Sequence, residues 1–241
     1  MRDAAKDAAH YRHVIAREEA ELDRLKREAT TFFLYDAPNR CLRIAWALYC
    51  AGAEPTDTLQ WFDEAVSTRI MYFESKSYQL LRAAGVLEHD YFCAAALVGR
   101  GSELLRAFAR CSFQQPEAPR FARARNAVLA MLALAEPTDD PDGDADLAAR
   151  GRDLVAIPPL AAAVAARNGV AFEGALAAFL GTSWERTARL MKLELDDPQG
   201  TYVGRYSILA TAACRRMACV PTLPPELACY VANDLVAAWN E

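Results

Sequence analysis

The sequence predicts an all-α protein. Alanine is the commonest residue, apolar side chains recur at helical spacing, and the alternation of apolar and polar residues typical of strands is almost absent. The chain has 241 residues and is 53% hydrophobic, so it can bury a sizeable core. We expect about ten helices in an irregular stack of antiparallel helical hairpins, forming a single domain over residues 1–241.

A charged helix is predicted over residues 3–29. One stripe of this helix is apolar and consists of Tyr11, Ile15, Leu22 and Leu25. The charged residues are expected on the opposite, solvent-facing side: Glu18, Glu19, Asp23, Arg24, Arg27 and Glu28. Asp23 and Arg27 stand at i,i+4, a spacing that favours an ion pair.

Two further helices follow with start and stop signals. Asp36 is a candidate N-cap with Pro38 at the beginning of the second helix, and Gly52 is the candidate residue that ends it. The third helix is predicted to open at residues 56–58 and to close at Gly85.

The same arrangement of helix, glycine turn and helix recurs twice. Residues 91–98 and 103–111 flank one turn, and residues 160–167 and 170 onward flank another. The turn glycines Gly52, Gly101 and Gly169 are unequally spaced, which argues against a regular repeat array. Towards the end of the chain, helices are predicted over residues 202–217 and 226–239.

An acidic loop over residues 137–146 is expected to join an N-terminal half, 1–136, to a C-terminal half, 147–241. The loop contains five aspartates: Asp139, Asp140, Asp142, Asp144 and Asp146. Their charge equals the whole net charge of −5, since the chain has 27 basic and 32 acidic residues. It does not match a calcium loop, because Thr138 and Ala149 occupy the positions of the first and last ligands. The acidic balance argues against nucleic-acid binding and favours a basic protein partner.

No motif for catalysis, cofactor binding or metal binding is complete. His10 and His13 lack further ligands, and the turn at Gly99 lacks the third glycine of a dinucleotide loop. We therefore expect no enzyme activity, no cofactor and no metal. Carboxylates on facing helices, such as Glu74 and Glu194, are the remaining enzymatic alternative.

The cysteines and the apolar runs indicate a compartment. Seven cysteines without a Cys-x-x-Cys motif are typical of reduced, packed thiols. The charged first residues do not form a signal peptide, and the longest apolar run, 154–166, holds two prolines. We expect a cytoplasmic protein that does not associate with membranes.

Both ends of the chain resemble a known family. The features are Arg2-Asp3 before a charged helix with Tyr11 and Ile15, then Trp184, Asp196-Asp197, Tyr202-Val-Gly-Arg-Tyr-Ser207, Pro224, and Tyr230 ahead of Asp234-Leu235. They resemble the PoNi-type immunity proteins, which are encoded beside polymorphic DNase toxins in bacteria. The C-terminal part is also similar to a second all-helical immunity family found beside secreted toxins.

The resemblance implies an antitoxin that binds a toxin delivered by a secretion system, such as a type VI system, and that has no catalytic residues. Nuclease clefts hold phosphate and tend to be basic, so acidic side chains are the expected contacts. The first candidates are Asp139, Asp140, Asp142, Asp144 and Asp146, and the second candidates are Glu18, Glu21 and Glu28. A helical-repeat-like scaffold or adaptor for an endogenous protein or peptide is the alternative function, and a homodimer is left open.

Overall fold

The structure is a computed structural model that describes residues 4–28, 33–75, 88–110, 157–191, 204–228 and 230–238. These residues form helices and no strand, which confirms the all-α prediction. The helices are α1 (Ala4–Glu28), α2 (Phe33–Ala51), α3 (Pro55–Glu74), α4 (Glu88–Leu97), α5 (Gly101–Arg110), α6 (Ile157–Ala165), α7 (Gly169–Met191), α8 (Gly204–Met217), α9 (Pro225–Ala228) and α10 (Asn233–Ala237). The finer prediction of a stack of hairpins stays a prediction.

The chain divides into two compact units, and each unit is discontinuous in sequence. Unit 1 comprises Met1–Ala83 and Glu103–Ser112, and unit 2 comprises Ala84–Ser102 and Phe113–Glu241. The predicted joint between halves, the acidic loop 137–146, lies outside the described residues.

In unit 1, α2 packs against both α1 and α3. The prediction that α2 starts at Asp36 was wrong, because the helix begins at Phe33 and contains Pro38. Proline in a helix removes one hydrogen bond, but Pro38 and its neighbours Ala37 and Cys41 are buried, so packing offsets that loss. Asp36 pairs with Arg40 one turn later instead of capping the helix.

The α3 helix carries the aromatic part of this core. Phe62 and Tyr72 are fully buried, and the guanidinium of the buried Arg69 lies 4.5 Å from the centre of the Tyr72 ring and 5.1 Å from that of Phe73. The prediction that α3 continues to Gly85 was wrong. Ser75 is extended, with φ −78° and ψ 148°, and its hydroxyl donates a hydrogen bond to the Tyr72 carbonyl, so the helix ends at Glu74.

In unit 2, α8 packs against α4, α6, α7 and α10. Seven consecutive residues of α4, from 91 to 97, are buried, as expected for a helix that is apolar on all sides. Side chains of α8 that face the core include Ile208, Leu209, Ala213 and Cys214.

Four described helices, α2, α4, α6 and α8, end in the same double-hydrogen-bonded turn, the Schellman motif, with one residue in the left-handed region. These residues are Gly52 (φ 74°), Gly99 (φ 73°), Arg167 (φ 49°) and Ala218 (φ 50°). The prediction for Gly52 is confirmed. Gly101 and Gly169 were also expected to be turn residues, but they are the first residues of α5 and α7. Asn168 caps α7, because its side-chain oxygen accepts a hydrogen bond from the Ala171 amide at 3.1 Å.

The predicted last helix over residues 226–239 is broken into α9 and α10. The chain between them packs on α8 through buried hydrogen bonds. The Ser207 hydroxyl donates to the Tyr230 carbonyl at 2.5 Å, and the Ala232 amide donates to the Thr211 hydroxyl at 3.0 Å. These tertiary hydrogen bonds use backbone groups at the break between the two short helices.

Candidate functional site

A group of interacting charges lies where α1 packs on α2. Its centre is Glu18, whose side chain is only 1% exposed. The expectation that Glu18 faces solvent was wrong, because this carboxylate points into the interface between the two helices. A carboxylate is rarely buried unless it is paired.

Three arginines surround the Glu18 carboxylate. Arg17 donates a hydrogen bond to Oε1 at 2.6 Å, and Arg40 from α2 donates one to Oε2 at 2.7 Å. A third guanidinium, that of Arg43, lies 3.6 Å from Oε1. Arg40 also pairs with Asp36 at 2.6 Å, so it joins carboxylates from both helices.

The ionised form of Glu18 is favoured despite its burial. Burial raises the pKa of this carboxyl, but the hydrogen bond from Arg17 and the charges of Arg43, Arg40 and Arg17 together lower it below the ordinary value of 4.5. Glu18 is therefore a permanent anion at neutral pH, and its charge is matched inside the protein.

The other two candidate glutamates on α1 are at the surface and share one arginine. Arg24 contacts Glu21 through two nitrogens, at 2.5 and 2.9 Å, and contacts Glu28 at 2.6 Å. The hydrogen bond from Arg24 lowers the pKa of Glu21, with smaller contributions from the charges of Arg24 and Arg40. The predicted pair of Asp23 with Arg27 does not form, since Arg27 donates to the Asp23 backbone carbonyl.

We call these residues the α1–α2 charge network. It joins four carboxylates to four guanidinium groups: Glu18, Glu21, Glu28 and Asp36 with Arg17, Arg24, Arg40 and Arg43. The network is neutral as a whole, so its glutamates do not create an unbalanced negative patch. The five candidate aspartates, 139, 140, 142, 144 and 146, lie outside the described residues, and toxin binding by either set stays a prediction.

The spacing of the apolar residues on α1 contains a signal for the network that the helix predictions did not include. The apolar residues at 11, 15, 22 and 25 leave one position of the 4,3,4,3 pattern empty, and Glu18 occupies it. A carboxylate inside an apolar seam predicts a cationic partner on the facing helix. Arg40, at i,i+4 from Asp36, was that partner.

Unit 2 contains a buried cation, Arg215 of α8. Its guanidinium donates a hydrogen bond to the carbonyl of Leu97, the last residue of α4, and burial lowers its pKa to about 10. A cation at the C-terminus of a helix is favoured by the exposed carbonyls and the helix dipole. Arg215 therefore ties α8 to the end of α4.

Two residues that carry the family resemblance have structural partners in unit 2. Ser207 and Tyr230 are hydrogen-bonded to each other, and both are buried. The hydrogen bond between Ser207 and Tyr230 packs the C-terminal segment on α8, which gives both residues a structural role. Trp184 lies in α7, and Asp196 and Tyr202 lie outside the described residues.

Neither a metal-binding cluster nor a membrane-spanning helix occurs in the parts of the chain that the structure describes. They hold no group of three or more histidine, cysteine, aspartate or glutamate side chains that could bind a metal ion. No helix among them is both long enough and apolar enough to cross a bilayer. Glu74 is exposed near the end of α3, and Glu194 lies outside the described residues.

Comparison with known proteins identifies no relative, since the chain matches no family model, no curated protein and no solved structure.

Proposed function

We propose that this protein is a cytoplasmic immunity protein that binds a cognate secreted toxin and covers its active surface. The proposal names a basic toxin, with a nuclease domain as the expected class. It combines the resemblance of about the first 30 and the last 60 residues to immunity families with the distribution of charge. Binding, and no chemical reaction, is the proposed activity.

The distribution of charge is the observation that carries the proposal. The α1–α2 charge network is neutral, with its buried member Glu18 held by arginines from both helices. The excess of five acidic residues over the whole chain equals the number of aspartates between 139 and 146. The strongest unbalanced negative charge is thus concentrated in one short segment. Such a segment accelerates encounter with a cationic surface, and the effect weakens as salt screens it.

The described helices support a role for each of the two units as a rigid frame. In unit 1 the buried Glu18 of α1 pairs with Arg40 of α2, and in unit 2 the buried Arg215 holds the end of α4. A frame of this kind presents a surface with little loss of conformational entropy on binding. In an interface, an apolar centre would supply most of the affinity and the acidic segment would set the orientation.

The first experiment is co-expression with the product of the adjacent gene. We expect the two proteins to co-purify and the chain to protect cells from that product. Toxicity that the chain does not relieve, together with no complex, would overturn the proposal. A complex with a housekeeping protein from the same cells would favour the adaptor function instead.

The second experiment measures association rates with that toxin. Replacing the five aspartates by asparagine should lower the association rate at low ionic strength by about tenfold or more and flatten its salt dependence. The matched control neutralises five exposed acids on the described helices: Glu19, Asp23, Asp57, Glu64 and Asp234. An equal loss of rate in both variants would mean that only net charge matters, and no loss in the aspartate variant would remove the loop from the mechanism.

A further inference from the structure

Two cysteines are joined by a backbone hydrogen bond at the turn that ends α8. In the Schellman motif, the residue after the left-handed one lies beside the third residue from the end of the helix. Here these two positions are Cys219 and Cys214, and the Cys219 amide donates a hydrogen bond to the Cys214 carbonyl at 3.2 Å. The covalent bonds on either side of this hydrogen bond place the two Cα atoms at most roughly 7 Å apart, and closer where the bonds are not collinear. The Cα–Cα distance can therefore fall in the range of about 4.4–6.8 Å that a disulfide needs.

The equivalent pairs in the other three Schellman turns of the described residues carry no thiol. They are Leu48 with Ala53, Ala95 with Arg100, and Ala163 with Asn168. The backbone geometry is therefore a common helix ending in this protein, and the α8 turn adds a pair of sulfur atoms to it. Both cysteines are free thiols, and they differ in access: Cys214 is buried and Cys219 is half-buried.

The geometry points to Cys214 and Cys219 as an oxidation site, at which a peroxide converts the two thiols into a disulfide that locks the end of α8. The half-buried Cys219 reacts first, and the buried Cys214 resolves the product. The disulfide closes a ring of six residues around the left-handed Ala218.

The chemistry balances with one equivalent of hydrogen peroxide. The Cys219 thiolate attacks one peroxide oxygen, the O–O bond breaks, and the leaving hydroxide takes up a proton as water, which leaves a sulfenic acid. The Cys214 sulfur then attacks the Cys219 sulfur, the S–O bond breaks, and the departing hydroxide takes the Cys214 proton as a second water. The two sulfurs lose two electrons in total, and the peroxide gains them.

Glu173 of α7 controls the rate of the first step. Burial raises the pKa of the Cys219 thiol, and the negative charge of Glu173 raises it further. The Glu173 carboxylate is held beside the turn because it accepts a hydrogen bond from the Thr222 amide at 2.9 Å. Since the thiolate is the reactive form, Glu173 slows oxidation and keeps the pair reduced under mild conditions.

The test is treatment of the folded protein with hydrogen peroxide, followed by alkylation of the remaining thiols, trypsin digestion and mass spectrometry. Trypsin cleaves after Arg215 and Arg216, so the disulfide joins the peptide 206–215 to the peptide 217–241. Cys229 lies in the second peptide, outside the described residues, and is replaced by serine in a parallel sample to assign the link. We expect the linked peptides in both samples.

Two variants make the result specific. Glu173→Gln keeps an oxygen for the Thr222 amide but removes the charge, so it should speed formation of the link several-fold. Cys219→Ser should abolish the link, while Cys50→Ser, which removes another half-buried thiol, should leave it unchanged. Oxidation of Cys219 to sulfinic acid without a link, or a link that forms only in denaturant, would overturn the inference.

Discussion

Removing one charge of the pair between the buried Glu18 and the half-buried Arg40 should destabilise the protein more than removing an equally short pair at the surface. The proposed set is Glu18→Gln, Arg40→Met, the double variant, and Arg24→Met as the matched control. Arg24 contacts Glu21 at 2.5 Å and Glu28 at 2.6 Å, distances similar to those of Arg40 from Glu18, 2.7 Å, and from Asp36, 2.6 Å. The two arginines differ in exposure, which is 18% for Arg40 and 47% for Arg24.

The expected magnitude follows from the burial of Glu18. Two unit charges about 4 Å apart attract by about 4 kcal/mol at an effective dielectric constant near 20. Desolvation of the two ions offsets much of that attraction, but a variant that strands one ion keeps the desolvation cost and loses the attraction. Arg40→Met leaves the Glu18 carboxylate, 1% exposed, with only Arg17 at 2.6 Å and Arg43 at 3.6 Å, two side chains that are mostly exposed. The variant should therefore cost about 2 kcal/mol of unfolding free energy, less than the roughly 3–5 kcal/mol of a wholly unpaired buried charge. The double variant should be more stable than the sum of the single effects predicts, by about 1–2 kcal/mol.

Urea unfolding followed by circular dichroism measures these differences, provided that the slope with denaturant stays constant across the set. Arg24→Met should not move the unfolding midpoint measurably, because exposed pairs contribute little. If Arg40→Met and Arg24→Met had equal effects, or if the coupling in the double variant were below about 0.5 kcal/mol, the argument from burial would be refuted.

Three further outcomes are expected. The pKa of Glu18 is lowered from 4.5, so ionised Glu18 stabilises the fold above pH 4.5 and this stabilisation is lost as the pH falls through the pKa of the folded state. Glu18→Gln should therefore make the unfolding free energy decrease less steeply below pH 4.5. Arg167→Gly relieves a left-handed residue at φ 49° and should raise the unfolding free energy by about 1 kcal/mol, whereas Gly52→Ala, at φ 74°, should lower it by a similar amount. Ser207→Ala removes the buried hydrogen bond from the Ser207 hydroxyl to the Tyr230 carbonyl and should lower the melting temperature by an amount equivalent to about 1 kcal/mol. Thr222→Ala, which removes an exposed hydroxyl, should leave the melting temperature unchanged.

The helices were predictable because their signals are local. Periodic apolar residues and the glycine at position 52 determine where α2 ends, and both can be read from a few neighbouring residues. The start of α2 was misread because Pro38 normally marks a helix beginning, and only the packing of α1 and α3 on α2 shows that an internal proline is compensated here.

The candidate site was less predictable because pairing between helices is not local. The residues that neutralise Glu18 include Arg40, which is 22 positions away in the sequence. Charge patterning along one helix treats Glu18 as solvent-exposed, since nothing within α1 shows that α2 covers it. In the same way, the break between α9 and α10 depends on Ser207 and Thr211 of α8, more than 20 residues earlier.

The hydrogen bond from Arg215 to Leu97 has a consequence for the order of events during synthesis. These partners are separated by 118 positions, so α4 leaves the ribosome long before the helix that covers it exists. Before α8 is synthesised, residues 91–97 of α4 lack the helix that covers them and expose an apolar surface. Chaperones bind exposed apolar segments of this kind. A chain stopped before residue 204 should therefore aggregate or be degraded, whereas lengthening the intervening stretch should cost little, because closure entropy grows only with the logarithm of loop length.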